Sequence, residues 1–382
     1  MRILFAVNYY SPYLSGVSEY ARLVAERLAG SGHAVTVLTG RHDAGLPSEE
    51  VRNGVRICRA DHLISLHKGY LSAAYIDWYW RLVPGADVVN LCLPMLEAGL
   101  LAMATPSRTA VAVTYNCDVV VQNRKNPIDW IAVAVVRASA RLSFRRANRI
   151  FVSSLDYAEG SGVLRGFEGK WIALPPPDKT PPIPARRACG RQRVGFLGRF
   201  VAEKGIHVLL DAIPLVLIHV PEAHFVLAGN FSSVAGGSEY VRLRDRLELL
   251  QDNVETPGEI PAESLFDFYR SLDVFVLPSI DSYEAFGLVQ VEAMKSGVPV
   301  IATDRRGVRV PVQVTGNGLL VPPGDAVALA EALVLVLSGR IQFHPEAVAR
   351  KAWEAFSADS NVAQTIATFE QMIREQRDRG CA

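Results

Sequence analysis

The chain has 382 residues, more than a single hydrophobic core usually serves, so its length predicts two domains. Hydrophobic residues make up 49% of the chain and charged residues 21%, which is typical of a soluble globular protein. A formal net charge of +1 gives no electrostatic support for nucleic-acid binding, and we predict no nucleic-acid partner.

The cysteines and the apolar segments indicate the compartment. The five cysteines are scattered without a CxxC pair, which argues against a disulfide framework and favours a reducing environment. The N-terminal stretch MRILFAVNYYSP is apolar over too short a run to act as a secretion signal. No run of about 20 apolar residues is present to span a membrane. We therefore predict a cytoplasmic protein.

The first half of the chain predicts a parallel α/β domain. RILFAV has the composition of a buried strand, apolar residues recur at helical spacing over 17–29, and HAVTVLTG is a second apolar strand. This βαβ opening indicates a parallel sheet. Further strands are predicted at 86–94, at 109–118 and in RIFVSS, with a long helix over 128–149 before the last of them.

A proline-rich segment separates this half from a second one of the same kind. LPPPDKTPPIP holds six prolines in eleven residues and predicts a stiff linker. The predicted parts are a first Rossmann-like domain over 1–173, a linker over 174–190, a second Rossmann-like domain over 191–357, and a C-terminal helix over 358–382 that returns to the first domain. Two doubly wound α/β domains would face each other and bind a ligand in the cleft between them.

The segment GFLGRFVAEKG, residues 195–205, is a candidate phosphate site. Gly198 ends a predicted strand, and Arg199 and Lys204 flank the short loop before a predicted helix. The pattern is neither the Walker loop nor the GxGxxG fingerprint. It suits a diphosphate because glycine permits close approach, arginine offers a bidentate fork and lysine a point charge. The alternative is an ordinary surface loop with two cations.

The segment SYEAFGLVQVEAMKSGVPVIAT places Glu284 and Glu292 around a predicted helix start at 287–296. Helix starts attract anions, and the buried strands on either side place this one at the carboxyl edge of the sheet. A ligand both anionic and rich in hydroxyls would explain two carboxylates at such a start. The alternative is that Glu284 complements the helix dipole and Glu292 is a solvated surface group.

Together these segments resemble the retaining glycosyltransferases of the GT-B fold and family 4 type. The matching pattern is Gly198-Arg199-x4-Lys204-Gly205, then Glu284-x-Phe286-Gly287-x4-Glu292-Ala293-Met294-x-x-Gly297-x-Pro299-Val300. The small-residue loop at Ser15-Gly16 and the segments GHAVTVLT, RRANRIFVSS and GNGLLVPPGDAVALAEAL agree with the family as well. The resemblance therefore runs over nearly the whole chain.

The resemblance implies a role for each charged residue of the two motifs. Arg199 and Lys204 would hold the diphosphate of the donor and stabilise the leaving nucleotide without a metal. Glu292 would accept hydrogen bonds from the ribose hydroxyls. Glu284 would contact hydroxyls of the transferred sugar near the reacting face.

The resemblance also implies backbone contacts to the donor. The amides of Phe286, Gly287 and Leu288, at the helix start, would take phosphate or sugar oxygens. Gly198 and Gly16 would let the backbone of their loops pass close to the diphosphate.

Two positions of the first domain depart from the family pattern. Many relatives have histidine where this chain has Asn116, which can hydrogen-bond a hydroxyl but cannot titrate near neutral pH. Cys92 also stands where relatives often have histidine, whereas Asp118 is present and could help place donor or acceptor. The candidate catalytic residues are therefore Arg199, Lys204, Glu284, Asn116 and Asp118.

A stripe of arginines has two interpretations. Arg137, Arg141, Arg145 and Arg149 recur every four residues within the predicted long helix, without an intervening acid. The alternatives are a solvated helix face, or docking to an anionic membrane surface or a phosphate-bearing lipid acceptor. The aromatic-rich segment 69–83 would either line an acceptor groove or pack in the core.

The remaining polar residues predict no metal site, because the histidines lack HxxxH or HExxH spacing. No cofactor is expected besides the nucleotide diphosphate sugar as co-substrate.

The sequence thus predicts a retaining, metal-independent glycosyltransferase. It would move a hexose from a UDP- or GDP-sugar to a hydroxyl of a glycan or lipid-linked acceptor, in cell-envelope or exopolysaccharide assembly, by the front-face transfer that the resemblance implies. It would be cytoplasmic, and peripheral at the inner face of the membrane if the arginine stripe docks there. The alternatives are a nucleotide-sugar epimerase or sugar phosphorylase on the same fold, or a nucleotide-sugar-binding protein with weak or lost catalysis, which Asn116 and Cys92 motivate.

Overall fold

The computed structural model describes residues 1–13, 15–61, 64–66, 69–121, 126–178, 192–231 and 238–380, with the backbone alone for 64–66, 69–71 and 379–380. The chain divides into two compact units, one of Met1–Pro177 with Ala358–Ala382 and one of Asp178–Ser357. Residues 179–190 of the predicted proline linker lie outside the described part of the chain.

The first unit is an α/β domain around one large sheet. Its elements are β1 (Arg2–Ala6), α1 (Gly16–Gly30), β2 (Ala34–Gly40), β3 (Glu49–Arg52), β4 (Val55–Ala60), β5 (Ile64–Leu66), β6 (Gly69–Leu71), α2 (Ala73–Leu82), β7 (Val88–Leu93), α3 (Ala98–Ala104), β8 (Ala110–Tyr115), α4 (Pro127–Arg146), β9 (Arg149–Val152), α5 (Leu155–Gly160) and β10 (Trp171–Ala173).

The main sheet of the first unit has the strand order β10-β9-β8-β7-β1-β2-β4-β3, and a separate hairpin pairs β5 with β6. All neighbours in the main sheet are parallel except β3 and β4. Every residue of β7 and β8 is buried, as expected for central parallel strands covered on both faces. The sheet edge at the carboxyl ends of β1, β7 and β8 therefore carries the loops that include Gly16 and Asn116.

The second unit has a smaller parallel sheet. Its elements are β11 (Arg193–Leu197), α6 (Ile206–His219), β12 (His224–Ala228), α7 (Tyr240–Leu249), β13 (Val254–Gly258), α8 (Leu265–Arg270), β14 (Val274–Leu277), α9 (Leu288–Lys295), β15 (Val300–Thr303), α10 (Val310–Thr315), β16 (Gly318–Val321), α11 (Ala326–Leu337) and α12 (Pro345–Ala355). The strand order is β13-β12-β11-β14-β15-β16.

Alternate residues of these strands enter two different cores. Val274 and Val276 of β14 pack in the cluster that includes α6 and α11, whereas Phe275 and Leu277 pack in the cluster that includes α9 and α12. This period of two buries both faces of the sheet, which is the doubly wound arrangement predicted from the sequence.

The last helix, α13 (Ala358–Gly380), belongs to the first unit. Its Phe369 is fully buried and makes an edge contact with Phe151 of β9, with 5.8 Å between the ring centroids. Asn361 donates from Nδ2 to the carbonyl oxygen of Pro175 at 2.6 Å. The C-terminal helix thus completes the core of the first unit.

The aromatic residues of α2 are divided between core and surface. Tyr75 is buried and donates from its hydroxyl to the carbonyl of Leu38 at 3.0 Å, and Tyr79 is buried with its hydroxyl 2.6 Å from that of Thr105. The core-packing alternative is therefore correct for these two tyrosines, whereas Trp80 is exposed. Among the described residues, no helix is both long enough and apolar enough to cross a bilayer.

Candidate active site

The candidate site of the second unit is built from two loops that leave neighbouring strands. Residues 198–205 connect β11 to α6, and residues 278–287 connect β14 to α9. Because β11 and β14 are adjacent and parallel, both loops start at the same carboxyl edge of the sheet. This is the edge where open α/β sheets bind ligands.

The two loops touch through their backbones. The N–H of Ile280 donates to the carbonyl of Glu203 at 2.9 Å. Gly205 has a left-handed φ of 67°, and a Cβ at this position would lie 2.0 Å from the carbonyl oxygen of Pro278. A side chain at residue 205 would therefore push the loops apart, which explains the glycine that ends the first motif.

The two motifs meet in an ion pair between Lys204 and Glu284, which are 80 residues apart in the chain. The side chains of Lys204 and Glu284 are only 16% and 14% exposed. Arg199 lies 3.5 Å from Glu203, whose side chain is buried, and is itself 42% exposed. The predicted phosphate ligands and the predicted sugar ligand thus lie at one place.

Helix α9 begins four residues after Glu284, at Leu288. Gly287 has a left-handed φ of 79°, and a Cβ there would lie 2.3 Å from Cδ2 of Leu277. In the described part of the chain, no side chain caps this helix start by a hydrogen bond. Gln290 is fully buried and donates from Nε2 to the carbonyls of Phe286 and Val308 at 2.6 and 2.9 Å, which fixes the loop. The ring of Phe286 is buried, so the loop would offer a ligand its backbone.

Glu292 is fixed by a residue that the sequence motifs did not indicate. The hydroxyl of Tyr269, in α8, donates to Oε2 of Glu292 at 2.8 Å. Tyr269 is fully buried, and burial followed by the neighbouring Glu292 carboxylate raises its pKa well above the usual value of 10.0. The hydroxyl of Tyr269 therefore stays protonated and donates to Glu292. The alternative that Glu292 is only a solvated surface group does not fit this contact. The only sequence signal for Tyr269 was its position on α8, the helix before β14.

A second polar pair lies at the same edge of the sheet. Asn230 follows β12 and donates from Nδ2 to Oε1 of Glu259, which follows β13. The N–H of Phe200 donates to the carbonyl of Asn230 at 3.1 Å, which connects this pair to the loop of Arg199. Neither residue belongs to the sequence motifs described above. Their position after consecutive parallel strands was the available signal.

The predicted residues of the first unit lie at the carboxyl edge of its own sheet. Gly16 begins α1 after Ser15, which caps the helix, and a Cβ at Gly16 would meet no atom of the described residues within 4 Å. The fold therefore leaves open space at Gly16. Asn116 follows β8 and donates from Nδ2 to the carbonyl of Leu93 at 2.8 Å, so its side chain ties two strand ends together.

Asp118 is part of a hydrogen-bond network in the loop after β8. Its Oδ1 accepts from the hydroxyls of Tyr115 and Ser161, both at 2.6 Å, and its N–H donates to the hydroxyl of Tyr157 at 2.6 Å. These contacts fix the conformation of the loop that also holds Asn116. The structure thus brings Asn116 and Asp118 together, each with a structural partner.

Cys92 lies inside the core of the first unit rather than at its surface. It is fully buried among residues of β1, β8 and α1. Burial raises the pKa of its thiol to about 12, so it stays protonated at neutral pH. Having cysteine instead of histidine at this position therefore changes how the core packs.

A buried carboxyl beside this edge was missed by the sequence analysis. Glu97 lies between β7 and α3 and is only 6% exposed. Burial raises its pKa from 4.5 to about 7, although its own N–H and that of Ser72 donate to the carboxylate. A raised folded-state pKa means that the protonated group stabilises the fold below about pH 4.5, and that this contribution is lost as pH rises through 7.

We expect Glu97→Gln to remove this pH dependence. Relative to the variant, the wild type should lose about 3 kcal/mol of unfolding free energy between pH 4.5 and pH 8, because 1.4 kcal/mol corresponds to each unit of pKa shift. Urea unfolding of both proteins at intervals across this range measures the difference. Parallel stability curves would show that Glu97 does not titrate abnormally.

Two protein-family descriptions match successive parts of the chain. Residues 15–177 match the "Glycosyl transferase 4-like domain" and residues 191–339 match "Glycosyl transferases group 1". The chain belongs to the family 4-type glycosyltransferases. The second match contains both motifs of the candidate donor site, and the first contains Gly16, Asn116 and Asp118.

Relatives and solved structures agree with this family. The chain is 34% identical over 202 residues to phosphatidyl-myo-inositol mannosyltransferase of Mycobacterium leprae, covering 50% of this chain and 52% of the relative. It is 36% identical over 172 residues to D-inositol 3-phosphate glycosyltransferase of Corynebacterium jeikeium, covering 42% and 40%. These alignments thus span about half of the relatives' length or less.

Solved structures of this class share the fold over the full chain. Sucrose-phosphate synthase of Thermosynechococcus elongatus has a TM-score of 0.79 at 22% identity and covers 98% of this chain and 99% of its own. HepE of Anabaena, solved in complex with UDP, has a TM-score of 0.75 at 17% identity, with 97% and 100% covered. At these identities the likeness shows the GT-B fold of two parallel-sheet domains.

In this glycosyltransferase the predicted arginine stripe is only partly a helix face. The prediction that Arg149 lies on the long helix is wrong, because α4 ends at Arg146 and Arg149 begins β9. Asn148 accepts the N–H of Val111 at 2.9 Å, which aligns the chain with β8 just after the helix. Arg149 then pairs with Glu375 of α13 at 2.6 Å.

The remaining arginines of the stripe differ in what they contact. Arg137 donates to the carbonyl of Val119 at 2.9 Å, and Arg141 donates to that of Val163 at 2.9 Å and lies 5.2 Å from the centroid of Phe167. These two side chains therefore serve the fold, while Arg145 is exposed. In the part of the chain that the structure describes, no three histidine, cysteine or acidic side chains are grouped as metal ligands.

Proposed function

We propose that this glycosyltransferase moves a hexose from a nucleotide diphosphate sugar to a hydroxyl of a glycan or lipid-linked acceptor, with retention of configuration and without a resident metal. The observation that carries the proposal is the Lys204–Glu284 ion pair, which joins the cationic and acidic motifs at one sheet edge. A nucleotide sugar needs both, because its diphosphate is anionic and its sugars are rich in hydroxyls.

The diphosphate would bind to Arg199, Lys204 and the start of α9. Arg199 is exposed enough to reach a ligand although its guanidinium contacts Glu203, and the start of α9 offers backbone N–H groups. As the bond to the sugar breaks, these groups would balance the charge that develops on the leaving phosphate. This electrostatic stabilisation of the leaving group would be the main catalytic contribution of the site's own residues.

The two carboxylates would bind the sugars of the donor. Glu292, oriented by Tyr269, would accept hydrogen bonds from the ribose hydroxyls. Glu284 would contact the transferred hexose while it keeps Lys204 in place. HepE has been solved with UDP and with UDP-glucose, which supports a UDP-sugar, and the mannosyltransferase name of the first relative keeps GDP-sugars in the proposal.

A transfer assay tests the proposal. Purified protein is incubated with UDP-glucose or GDP-mannose, and with D-inositol 3-phosphate or phosphatidylinositol vesicles, the acceptor classes in the relatives' names. We expect acceptor-dependent release of UDP or GDP and a product whose anomeric configuration, by NMR, equals that of the donor. Interconversion of the donor sugar without an acceptor would favour an epimerase. Nucleotide binding without turnover would favour the binding protein.

We also propose that the first unit docks on an anionic membrane, through the apolar side of α4 rather than through the arginine stripe. Exposed apolar side chains recur at helical spacing along α4, and two more lie on the adjoining α3: Ile128, Ile131, Val135, Leu142, Leu100 and Met103. We call these six the apolar patch. Helix α3 packs closely on α4, since a Cβ at Gly99 would lie 2.8 Å from the carbonyl of Ser139. The exposed Arg145 flanks the patch, and this pairing of apolar and basic groups suits a lipid surface.

We expect Ile131→Ser with Val135→Ser to weaken binding to vesicles of phosphatidylglycerol and phosphatidylcholine by about tenfold, because two apolar side chains no longer enter the interface. The matched control is Ile218→Ser with Val241→Ser, which removes the same two residue types from the second unit at positions that are even more exposed. Vesicle co-sedimentation measures both. Equal binding of all three proteins would refute docking through the apolar patch.

A further inference from the structure

Lys295, the last residue of α9, is fully buried. Its Nζ donates to Oδ1 of Asp178 at 2.9 Å and to the carbonyl oxygen of Phe356 at 2.6 Å. The same nitrogen lies 4.3 Å from the ring centroid of Trp353. The three N–H groups of the ammonium therefore all face a partner: a carboxylate, a carbonyl and an aromatic ring.

The two hydrogen-bond partners lie where the chain passes between the units. The chain does so twice, at Pro177–Asp178 and at Ser357–Ala358, and we call these places the two crossings. Asp178 is the first residue of the second unit, and Phe356 comes just before the second crossing. One buried ammonium group thus fixes both crossings to the end of α9.

The same residues reach the candidate donor site. Glu292 lies one turn before Lys295 on α9 and accepts the hydroxyl of Tyr269. Asp178 is close enough to Tyr269 to act on it electrostatically. The ring of Phe356 packs edge-on against Phe286 of the donor loop, with centroids 5.7 Å apart and an angle of 81°.

Stability alone does not account for this cluster. Removing two charges from water costs several kcal/mol per ion, and replacing a buried pair by apolar residues is often neutral or stabilising. A contact that fixes two chain segments and a functional helix in one geometry gives a reason for its presence.

We propose that Lys295 is a positioning residue that fixes the donor loop and Glu292 relative to the two crossings. Because the crossings are the chain segments that join the two units, Lys295 couples these segments to the donor site. The inference rests on the proposed function, because the coupled site is the donor site.

Three variants test this proposal. Lys295→Met with Asp178→Asn removes both buried charges and leaves no uncompensated ion. Tyr269→Phe breaks only the connection to Glu292. Val216→Ala, in the core on the opposite face of the sheet, is the control for a general loss of stability.

Hydrogen exchange of the free proteins, followed by mass spectrometry, gives the first result. In the double variant we expect peptides that cover 172–178, 283–292 and 353–360 to exchange about tenfold faster together, because local opening governs exchange. Tyr269→Phe should affect only 283–292, and Val216→Ala none of the three. Faster exchange at α9 alone in the double variant would overturn the proposal.

Nucleotide affinity, measured by calorimetry where all variants are folded, gives the second result. The Kd for UDP or GDP should rise about tenfold in the double variant and in Tyr269→Phe, and stay unchanged in Val216→Ala. An unchanged Kd in the double variant would overturn the coupling. If the wild type binds neither nucleotide, the proposed function fails, and the exchange pattern alone decides whether Lys295 fixes the crossings.

Discussion

Arg199→Ala is expected to lower kcat/KM for the donor sugar by about 10²–10³-fold, the usual loss when one preorganised group is removed from a developing negative charge. Its effect on the unfolding free energy should stay below about 1 kcal/mol, because the side chain is 42% exposed and its contact with Glu203 is long at 3.5 Å. Initial rates of UDP or GDP release and urea unfolding measure the two effects. A large loss of activity at nearly constant stability identifies a group that acts on the ligand.

Arg246→Ala provides the matched control for Arg199→Ala. Arg246 of α7 lies in the same unit and pairs with Asp211 of α6 at 2.6 Å, and neither residue is in the two loops of the candidate site. The control should leave kcat/KM unchanged. Equal losses in both variants would mean that the arginines act through general electrostatics or folding, and Arg199 would lose its assigned role.

Lys295→Met is expected to lower the unfolding free energy by about 3–5 kcal/mol, because Asp178 is left as an uncompensated buried carboxylate. The pair is among the most buried charge contacts described, with side-chain exposures of 0% and 3%. Adding Asp178→Asn should recover most of the loss, since no ion then remains without a counter-ion. Urea unfolding of the wild type, both single variants and the double variant forms the required cycle.

The double-mutant cycle also tests whether Lys295 and Asp178 interact and whether Lys295 is buried in solution. Additive losses in the double variant would show that Lys295 and Asp178 do not interact in solution. A loss of less than about 1 kcal/mol for Lys295→Met would place the side chain near the surface, since exposed pairs contribute that little.

The glycines of the two motifs could be predicted from the sequence because their spacing has a physical cause. Gly205 and Gly287 occupy left-handed backbone positions where a Cβ would collide with neighbouring atoms, so glycine at both motifs reflects the fold. The strands on either side are mostly apolar because both faces of the sheet are covered. Local rules therefore sufficed to place Arg199, Lys204, Glu284 and Glu292 at one sheet edge.

The partners of these residues could not be read from the sequence. Lys204 and Glu284 are 80 residues apart, and Asp178 and Lys295 are 117 apart. A buried lysine looks the same in a sequence as a solvated one, because only the tertiary fold supplies its carboxylate. The same holds for Tyr269, whose contact with Glu292 depends on how α8 and α9 pack.

Fewer elements of the first unit could be predicted from local sequence patterns. The strands β3 and β4 were not predicted, and β4 contains Arg56 and Arg59, which are unusual in a parallel strand. Arg59 is fully buried because Glu50 of β3 lies 2.5 Å away. The four-residue arginine period also continued past the end of α4, where Asn148 redirects the chain into β9. A periodic pattern carries no information about such an end unless a capping residue marks it.

The most direct test of the donor site is thermal unfolding with UDP, GDP and ADP in the presence of a chelator. A nucleotide at a hundred times its Kd should add about 2.7 kcal/mol of stability to the wild type, a shift of a few degrees in Tm. We expect this shift for at least one of the three nucleotides, and its loss in both Arg199→Ala and Glu292→Gln. An unshifted wild type, or a shift that persists in both variants, would contradict a nucleotide-sugar site at this edge of the second sheet.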